Sequence, residues 1–467
     1  MERERLGSRL GFILLSAGCA IGCGNVWKFP YMCGQYGGGA FVLLYILFLV
    51  ILGLPVMVME FSLGRASQSS IVKMYNKLEK PGQKWHYHGY FALAGNTLLM
   101  MFYTSVTGWI LYYFVSFLSG KMTGITNAQS EKLFSNMLSN TDVMVGFMAI
   151  VVVLGFVILS FGLQKGVERI TKYMMIALLF LIIVLAIHSF TLSGAKEGLT
   201  FYLKPEISKI DGNVVVGAMN QSFFTLSLGI GSMAIFGSYL GKDRSLMGES
   251  INVLVLDTFV AIFAGLIIFP ACFTFDVDAG AGPGLLFEAM AKVFNNMSGG
   301  RWWGTLFFLF MFFAAMSTII AVFENILACV RELTNWNRIK SCIICGIVVL
   351  ILSIPCALGF NLLKFIVPFN SSSSILDLED FIVSNCLLPL GSLCMVLFCV
   401  NKRYGWGFDN LMAEANTGKG MKLKKWMKFY ITYILPLIII FVFIMGIFNF
   451  EFSDNFTILG WLKGLFK

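Results

Sequence analysis

The stretch AGCAIGCGNVWKFPY, residues 17–31, begins inside an apolar run that opens at Leu10 and predicts a membrane-spanning helix. The stretch contains three glycines, Asn25 and Lys28. Glycine destabilises a helix interior by about 1 kcal/mol relative to alanine. A lysine at the centre of a bilayer costs roughly 2.5 to 3.5 kcal/mol on insertion scales. The first span is therefore expected to be interrupted, with partners that offset both costs.

The composition indicates a polytopic membrane protein. Of 467 residues, 58% are hydrophobic and 13% are charged, whereas soluble domains carry about 25% charged residues. Most of the 11 cysteines lie inside apolar runs. Neither disulfides nor metal sites formed by cysteines are therefore expected. This includes Cys342 and Cys345, which have the spacing of a metal-binding pair but no histidine nearby.

Runs of about 18 to 25 apolar residues predict eleven transmembrane helices and an all-α fold. These runs lie near residues 10–30, 40–63, 90–118, 143–162, 170–193, 214–239, 250–273, 303–329, 341–360, 375–400 and 429–449.

The lysines and arginines of the connecting segments predict the orientation. With the amino terminus in the cytoplasm, 23 of them lie in cytoplasmic segments and 10 in extracellular segments. This excess predicts a multi-pass protein of the plasma membrane with a cytoplasmic amino terminus and an extracellular carboxyl terminus. The net charge of +9 is then mostly a topological signal, and a nucleic-acid partner is not expected.

Two spans carry glycine interruptions at corresponding positions. The first is interrupted at GCAIGCGN and the sixth at FFTLSLGIGSM, residues 223–233. Matching interruptions in two halves are typical of inverted-repeat transporters, whose substrate site lies between the broken helices. They predict a first repeat at 1–193, a second at 194–400, and a final segment, 401–467, with helix 11. The alternative is that these glycines serve only close helix packing.

An unwound helix leaves peptide N–H and C=O groups that need partners inside a membrane. Carbonyl oxygens suit Na⁺, and helix amino termini suit a carboxylate, so a zwitterionic amino acid and a cation fit such breaks. Asp257 lies well inside the seventh span, where an unpaired carboxylate would protonate, so a nearby cation is expected to keep it charged. Glu60 and Glu324 are also intramembrane acids, either functional or sharing a proton with a buried backbone group. Ser317 and Thr318 are adjacent in the eighth span; these hydroxyls either bind the cation or bond back to the preceding turn.

The chain resembles the bacterial branch of the neurotransmitter:sodium symporter family, which has the leucine-transporter fold. The resemblance rests on residues 8–65, SRLGFILLSAGCAIGCGNVWKFPYMCGQYGGGAFVLLYILFLVILGLPVMVMEFSLGR, and continues through QSFFTLSLGIGSM, DTFVAIFAGLIIFP, AGPGLLFEAMAKVF and LDLEDFIVSNCLLPLG. It implies two sodium sites. The first would be formed by Ala20, Asn25, Thr225 and Asp257 with the substrate carboxylate, and the second by Gly18, Ile21, Ala314, Ser317 and Thr318.

The resemblance also implies a substrate pocket in which Tyr103 donates to the substrate carboxylate and Phe224 is a lid. Cys19 stands where amine carriers of the family have an aspartate, and Ile230 and Val322 line the side-chain end, which favours apolar amino acids. The expected pocket residues are Cys19, Ala20, Cys23, Gly24, Tyr103, Phe224, Thr225, Ser227, Ile230, Thr318 and Val322.

Two gates are implied as well. On the outside, Lys28 would pair with Asp380 through water, the lysine replacing the arginine more usual in the family. On the inside, Arg3 would pair with Glu332, with Tyr239 nearby. Leu6 occupies the position of the family's amino-terminal tryptophan.

The resulting hypothesis is a sodium-coupled symporter of neutral, apolar L-amino acids that works by alternating access. Chloride is not expected to be needed, because Asp257 replaces the asparagine of chloride-dependent members, which bind the anion beside Tyr45, Gln221 and Thr225. The alternatives are a proton-coupled or exchange-type amino acid carrier, and an amino acid sensor that does not transport. An enzyme is not expected. The expected partners are the amino acid, membrane lipid and, as a candidate, a second copy of the chain.

Overall fold

The computed structural model describes residues 4–122, 125, 127–278, 286–371, 373–453 and 456–458. Its helices are α1 Arg9–Ala20, α2 Phe29–Gln35, α3 Gly39–Phe48, α4 Leu54–Ser67, α5 Ile71–Leu78, α6 His86–Leu118, α7 Asn127–Ser139, α8 Thr141–Ser160, α9 Arg169–Ser189, α10 Ala195–Leu203, α11 Gly212–Thr225, α12 Ser232–Tyr239, α13 Leu246–Thr274, α14 Ala289–Asn296, α15 Gly300–Thr334, α16 Arg338–Leu358, α17 Ile375–Phe381, α18 Leu388–Val400, α19 Phe408–Ala415, α20 Met427–Phe429 and α21 Leu435–Phe448.

Wider π-helical turns precede several of these helices without a loop, at Gly24–Lys28, Leu49–Gly53, Leu163–Glu168, Ile382–Leu387 and Tyr430–Ile434, and a short 3₁₀ turn lies at Ile207–Lys209. Two short strands, β1 Glu451–Ser453 and β2 Phe456–Thr457, pair antiparallel. All other regular structure in the described residues is helical.

Among the described residues, nine helices are long and apolar enough to cross a membrane. A tenth span is formed if Arg9–Ala20 and Gly24–Gln35, which meet at 51°, count as one bent helix. The predicted sixth span is two shorter helices, α11 and α12, separated by residues 226–231. Every predicted span therefore coincides with helical segments, and the helical membrane fold is confirmed. The total of eleven and the inverted repeat remain predictions.

The first break follows from the sequence around Ile21 and Gly22. Ile21 leaves the helical conformation at φ −71° and ψ 101°, and the chain resumes a helix at Gly24. A Cβ atom on Gly22 would lie 2.1 Å from the Tyr103 hydroxyl and 2.3 Å from Thr318 Oγ1. Only glycine allows α6 and α15 to approach the break this closely.

The second break has its backbone groups bonded to buried side chains. The Glu60 carboxylate accepts from the amides of Gly229 at 2.5 Å and Met233 at 3.1 Å, and Asn96 Nδ2 donates to the Ile230 carbonyl at 2.7 Å. Gly229 has φ +94°, and a Cβ atom there would lie 2.2 Å from the Leu388 carbonyl oxygen. Of the two roles predicted for Glu60, the structure favours hydrogen bonding to the backbone of this break.

The long helices bring the breaks together. Helix α15 packs along α6, and α1 packs against α13 and α15. The breaks in the first and sixth spans therefore lie in the buried centre of the bundle, flanked by α6, α13 and α15.

The segment after α21 returns to the body of the protein. Phe450 and Phe452 contact Phe381, with ring centroids 4.1 and 5.6 Å away, and both also contact Phe369. Phe381 directly follows Asp380 in α17. This aromatic cluster of Phe369, Phe381, Phe450 and Phe452 fixes the carboxyl-terminal segment beside the predicted outer gate.

Candidate substrate and ion site at the helix breaks

A buried polar cluster joins the first break to α13. Asn25 Nδ2 donates to the Asp257 carboxylate at 2.8 Å and to the Asp257 carbonyl at 3.1 Å. Thr225 Oγ1 and the Tyr45 hydroxyl donate to the same carboxylate at 3.3 and 3.4 Å. Asp257 is fully buried. Three of the four residues predicted for the first sodium site, Asn25, Thr225 and Asp257, therefore form one contact group.

Gln221 adds a further oxygen near this cluster. Its Nε2 donates to the Gly24 carbonyl at 2.7 Å, whereas its Oε1 is buried and has no hydrogen-bond partner among the described residues. A buried amide oxygen without a donor is an energetic cost unless a cation or water binds it. The first break, at Gly24, thus has a buried acceptor beside it that the described residues do not fill.

Oxygen atoms of the residues predicted for the second sodium site also lie close together. Thr318 Oγ1 lies 3.2 Å from the Gly18 and Ile21 carbonyl oxygens and 3.3 Å from that of Cys19. Ser317 Oγ lies 2.9 Å from the Ala314 carbonyl and 3.3 Å from the Ile21 carbonyl. Ser317 therefore bonds to the preceding turn of its own helix, as one alternative predicted, and also contacts Ile21. Thr318 instead contacts carbonyl oxygens at the end of α1.

The groups of the two clusters are hard, mostly uncharged oxygens contributed by several helices, among them α1, α11, α13 and α15. The described residues contain no group of three or more His, Cys, Asp or Glu side chains able to hold a metal ion. Carbonyl and hydroxyl oxygens with a single carboxylate suit an alkali cation better than a transition metal.

A small cavity of about 10 Å³ lies beside both clusters. It has room for about one water molecule. Two lining residues, Leu99 and Leu388, were not predicted for the substrate pocket. The other six were predicted: Ala20, Gly24, Tyr103, Phe224, Ser227 and Thr318. An amino acid would fit here only if these side chains moved apart.

Leu99 and Leu388 are the lining residues that sequence reasoning missed. Leu99 lies one helical turn before Tyr103 in α6, and positions four apart share a helix face, so this spacing was a usable signal. Leu388 is the first residue of α18 and is brought to the cavity by the packing of distant segments. The sequence around it gives no comparable signal.

The other predicted pocket residues lie nearby but outside the cavity lining. The Cys23 amide donates to the Tyr103 hydroxyl at 2.7 Å, which leaves the Tyr103 proton available for another acceptor. Val322 is fully buried, one turn beyond Thr318. Ile230 packs against Gly95.

The two residues predicted for the outer gate form a direct ion pair. Lys28 Nζ lies 3.1 Å from Asp380 Oδ2 and 3.2 Å from Ser384 Oγ, whereas the sequence analysis expected a water-mediated pair. The same ammonium group lies 3.9 Å from the centroid of the Phe224 ring. Lys28 therefore contacts both the predicted lid, Phe224, and Asp380 of α17.

At the end of the bundle predicted to face the cytoplasm, the structure shows a different set of contacts from the predicted pair. Tyr239 donates to Glu324 at 2.9 Å, and Arg338 contacts Glu324 at 2.5 Å. Glu332 accepts from the Ser70 amide at 2.9 Å and from the Ser70 hydroxyl at 2.7 Å. The expected partner of Glu332, Arg3, lies outside the described residues.

Glu4 extends this inner network. It lies 2.9 Å from Arg331 and 3.6 Å from Arg338. Burial raises the pKa of the Glu4 carboxyl, but the hydrogen bond from Arg331 and the charge of Arg338 outweigh it, so its pKa is lowered overall. Glu4, Tyr239, Arg331 and Glu332 border a cavity of about 230 Å³ at this end of the bundle.

Comparison with known proteins agrees with this geometry. The model of the sodium:neurotransmitter symporter family matches residues 3–126 and 132–463. The chain belongs to this family. It is 35% identical to the uncharacterized sodium-dependent transporter YhdH of Bacillus subtilis over 95% of this chain and 98% of the relative. It is 28% identical to the sodium-dependent serotonin transporter of Drosophila melanogaster over 66% of this chain and 56% of the relative.

A solved structure shows the same fold. The crystal structure of MhsT in complex with L-phenylalanine superposes with a TM-score of 0.86 at 36% identity, over 95% of this chain and 100% of that one. The chain is therefore a sodium-dependent transporter of the family, a multi-pass membrane protein with a small-molecule substrate. The predictions of the family and of a non-enzymatic function are confirmed.

Proposed function

We propose that the protein is a sodium-coupled symporter of neutral, apolar L-amino acids that works by alternating access without chloride. The observation that supports this most directly is the convergence of the two helix breaks on one site. There, a buried carboxylate, two hydroxyls and several carbonyl oxygens surround a cavity with Tyr103 and Phe224 in its wall.

Two Na⁺ ions are transported with the substrate in this proposal. The first binds Ala20, Asn25, Thr225 and Asp257 together with the substrate carboxylate, so that ion and amino acid bind cooperatively. The second binds the oxygens of Gly18, Ile21, Ala314, Ser317 and Thr318, and it fixes α1 against α15. A tenfold Na⁺ gradient and a potential of 100 mV supply about 1.4 and 2.3 kcal/mol per ion.

The chemistry of the cavity supports an apolar amino acid. Its lining contains no acidic residue, and Leu99, Phe224 and Leu388 contribute apolar surface. The Tyr103 hydroxyl already accepts from the Cys23 amide, so its proton is directed to the substrate carboxylate. The complex of the related MhsT with L-phenylalanine is consistent with this class.

Chloride independence rests on Asp257. Its carboxylate lies beside Tyr45 and Thr225, where it supplies the negative charge that a bound anion would otherwise provide. Replacing chloride by gluconate is expected to leave uptake unchanged; a large loss of uptake in gluconate would refute this part of the proposal.

The topology completes the proposal. Residues 1–193 and 194–400 form the two inverted repeats, with helix 11 in 401–467. The amino terminus is cytoplasmic and the carboxyl terminus extracellular, so that the Lys28–Asp380 pair closes the outer path and the Glu324 network closes the inner one. A cycle of opening and closing at these two sites moves the substrate across the membrane.

The decisive experiment is sodium-driven uptake into liposomes, measured against a panel of the twenty amino acids. Accumulation of apolar amino acids only with an inward Na⁺ gradient supports the proposal. Uptake driven by a pH gradient without Na⁺ would instead indicate a proton-coupled carrier. Binding without accumulation would indicate a sensor.

A further inference from the structure

A groove on the outer surface of the bundle lies between the amino-terminal end of α6 and the first turns of α18. Its volume is about 670 Å³, within the range of roughly 300 to 1,000 Å³ typical of ligand sites. Phe91 and Leu390 form its rim and are 66% and 42% exposed. Both helices belong to apolar spans, so the groove opens toward the hydrocarbon of the bilayer.

The floor of this groove is the second helix break. Gly229, Ile230 and Gly391 line it, and a Cβ atom on Gly391 would lie 2.0 Å from the Gly229 carbonyl oxygen. The groove and the small cavity at the helix breaks are thus lined by neighbouring residues of the same segments, Ile230 and Leu387 on one side and Ser227 and Leu388 on the other. An occupant of the groove would contact the backbone of the second break at Gly229 and Ile230.

One end of the groove is basic. Lys84 lies at this end and is exposed. The neighbouring loop is bonded to the same segment, since Lys80 Nζ donates to the Lys402 and Arg403 carbonyls at 2.7 and 3.4 Å. Trp85 Nε1 donates to the Tyr404 carbonyl at 2.5 Å.

The acids of this region are already paired. Glu79 contacts His86 at 2.6 Å, and Asp409 lies 3.9 Å from Lys402 and 3.7 Å from Lys428. Lys84 thus adds positive charge where the apolar groove meets the polar surface, and the exposed Arg403 lies in the loop whose backbone is bonded to this end. An apolar groove that ends in basic side chains matches the two parts of a charged lipid.

We propose that this groove binds one anionic glycerophospholipid, with an acyl chain between α6 and α18 and the phosphate at Lys84 and Arg403. A polar ligand would lose its hydration against Phe91, Leu387 and Leu390 without gaining partners, whereas an acyl chain would not. In the orientation proposed above, the lipid comes from the cytoplasmic leaflet, which carries the anionic lipids.

The position of the acyl chain predicts an effect on transport. Because the chain would pack against the backbone at Gly229 and Ile230, bound lipid changes how readily the second break rearranges. Lipid binding itself is independent of the proposed substrate and can be measured in the absence of any amino acid.

The test uses the full chain in phosphatidylcholine liposomes that contain a trace of phosphatidylglycerol with a photoactivatable acyl chain. Label is expected to concentrate in peptides covering residues 84–92 and 387–394. A phosphatidylcholine probe with the same acyl chain is expected to label these peptides no more than the rest of the lipid-facing surface. Equal labelling of the groove by both probes would overturn the proposal.

Variants separate the two parts of the site. Lys84→Gln and Arg403→Gln should each reduce phosphatidylglycerol labelling about fivefold, while Lys165→Gln, on another exposed loop, should leave it unchanged. Leu390→Trp should fill the groove and abolish labelling there, and Ile351→Trp on the exposed face of α16 should not. Unchanged groove labelling in both Lys84→Gln and Arg403→Gln, or in Leu390→Trp, contradicts the assignment.

Discussion

Asn25 and Asp257 connect the first helix break to α13 through a hydrogen bond of 2.8 Å. Because Asn25 Nδ2 donates to both the carboxylate and the carbonyl of Asp257, its Oδ1 faces the opposite way and accepts from the Gly22 amide at 3.1 Å. The shape of the break is therefore coupled to the charge of a residue on another helix.

The role of Asp257 is testable by Asp257→Asn. Removing the charge should abolish sodium-driven uptake in chloride-free buffer, since no anion then balances the cation. Uptake should return in part when chloride is added. Paired assays in chloride and gluconate measure this, and unchanged uptake in gluconate would count against the role.

Thr318→Val removes a hydroxyl that lies within 3.3 Å of three carbonyl oxygens, two at the end of α1 and one at Ile21 in the first break. Contacts with a charged partner contribute roughly 1.5 to 3 kcal/mol, so the half-saturating Na⁺ concentration should rise about tenfold to a hundredfold. Thr305→Val is the matched control, because Thr305 lies on the same helix and bonds only to the preceding turn at 2.7 Å. Equal effects of the two substitutions would show that general helix destabilisation is the cause.

Gly22→Ala should abolish binding of both substrate and sodium. The added methyl would meet the Tyr103 hydroxyl and Thr318 Oγ1, at 2.1 and 2.3 Å, and push α6 and α15 away from the break. Gly146→Ala in α8 is the control, since its Cβ atom would meet nothing within 4 Å. Binding of radiolabelled amino acid to purified, monodisperse protein is the measurement; retained binding in Gly22→Ala would contradict the assigned geometry.

Asp380→Asn tests the outer gate. The ion pair with Lys28 is partly exposed, with side chains 14% and 32% accessible, so its loss should speed outward substrate release by up to about fivefold. Asp377→Asn, on the same helix, keeps an acceptor for the helix cap and should release substrate at the normal rate. Identical release rates for both variants would exclude a gating role for the pair.

Glu4 gives the inner side a dependence on pH. Its pKa is lowered by Arg331 and Arg338 despite burial, so its stabilising contribution is present above the ordinary carboxyl pKa. That contribution is lost as the pH falls below the ordinary carboxyl pKa and through the lowered value. Amide exchange of residues 5–12, corrected for intrinsic rates, should therefore increase at low pH in the wild type, and Glu4→Gln should show high exchange throughout.

The sequence was sufficient to locate the spans and both breaks, because apolar length and glycine interruptions are local signals. It also indicated the residues around Asp257 and Thr318 through the family resemblance. The sequence could not show that Leu388 lines the cavity or that Lys28 contacts Phe224, because both contacts depend on how distant segments pack. The inner network around Glu324 was missed for the same reason, because Arg338 and Tyr239 converge on that residue only in the folded chain.

The aromatic cluster at the carboxyl-terminal end has a practical consequence. Phe450 and Phe452 hold that segment against Phe381, the residue after Asp380. A purification tag or fluorescent reporter attached beside Phe452 would disturb the proposed outer gate. Assays of the outer gate therefore need a reporter placed in the loop after α19 instead.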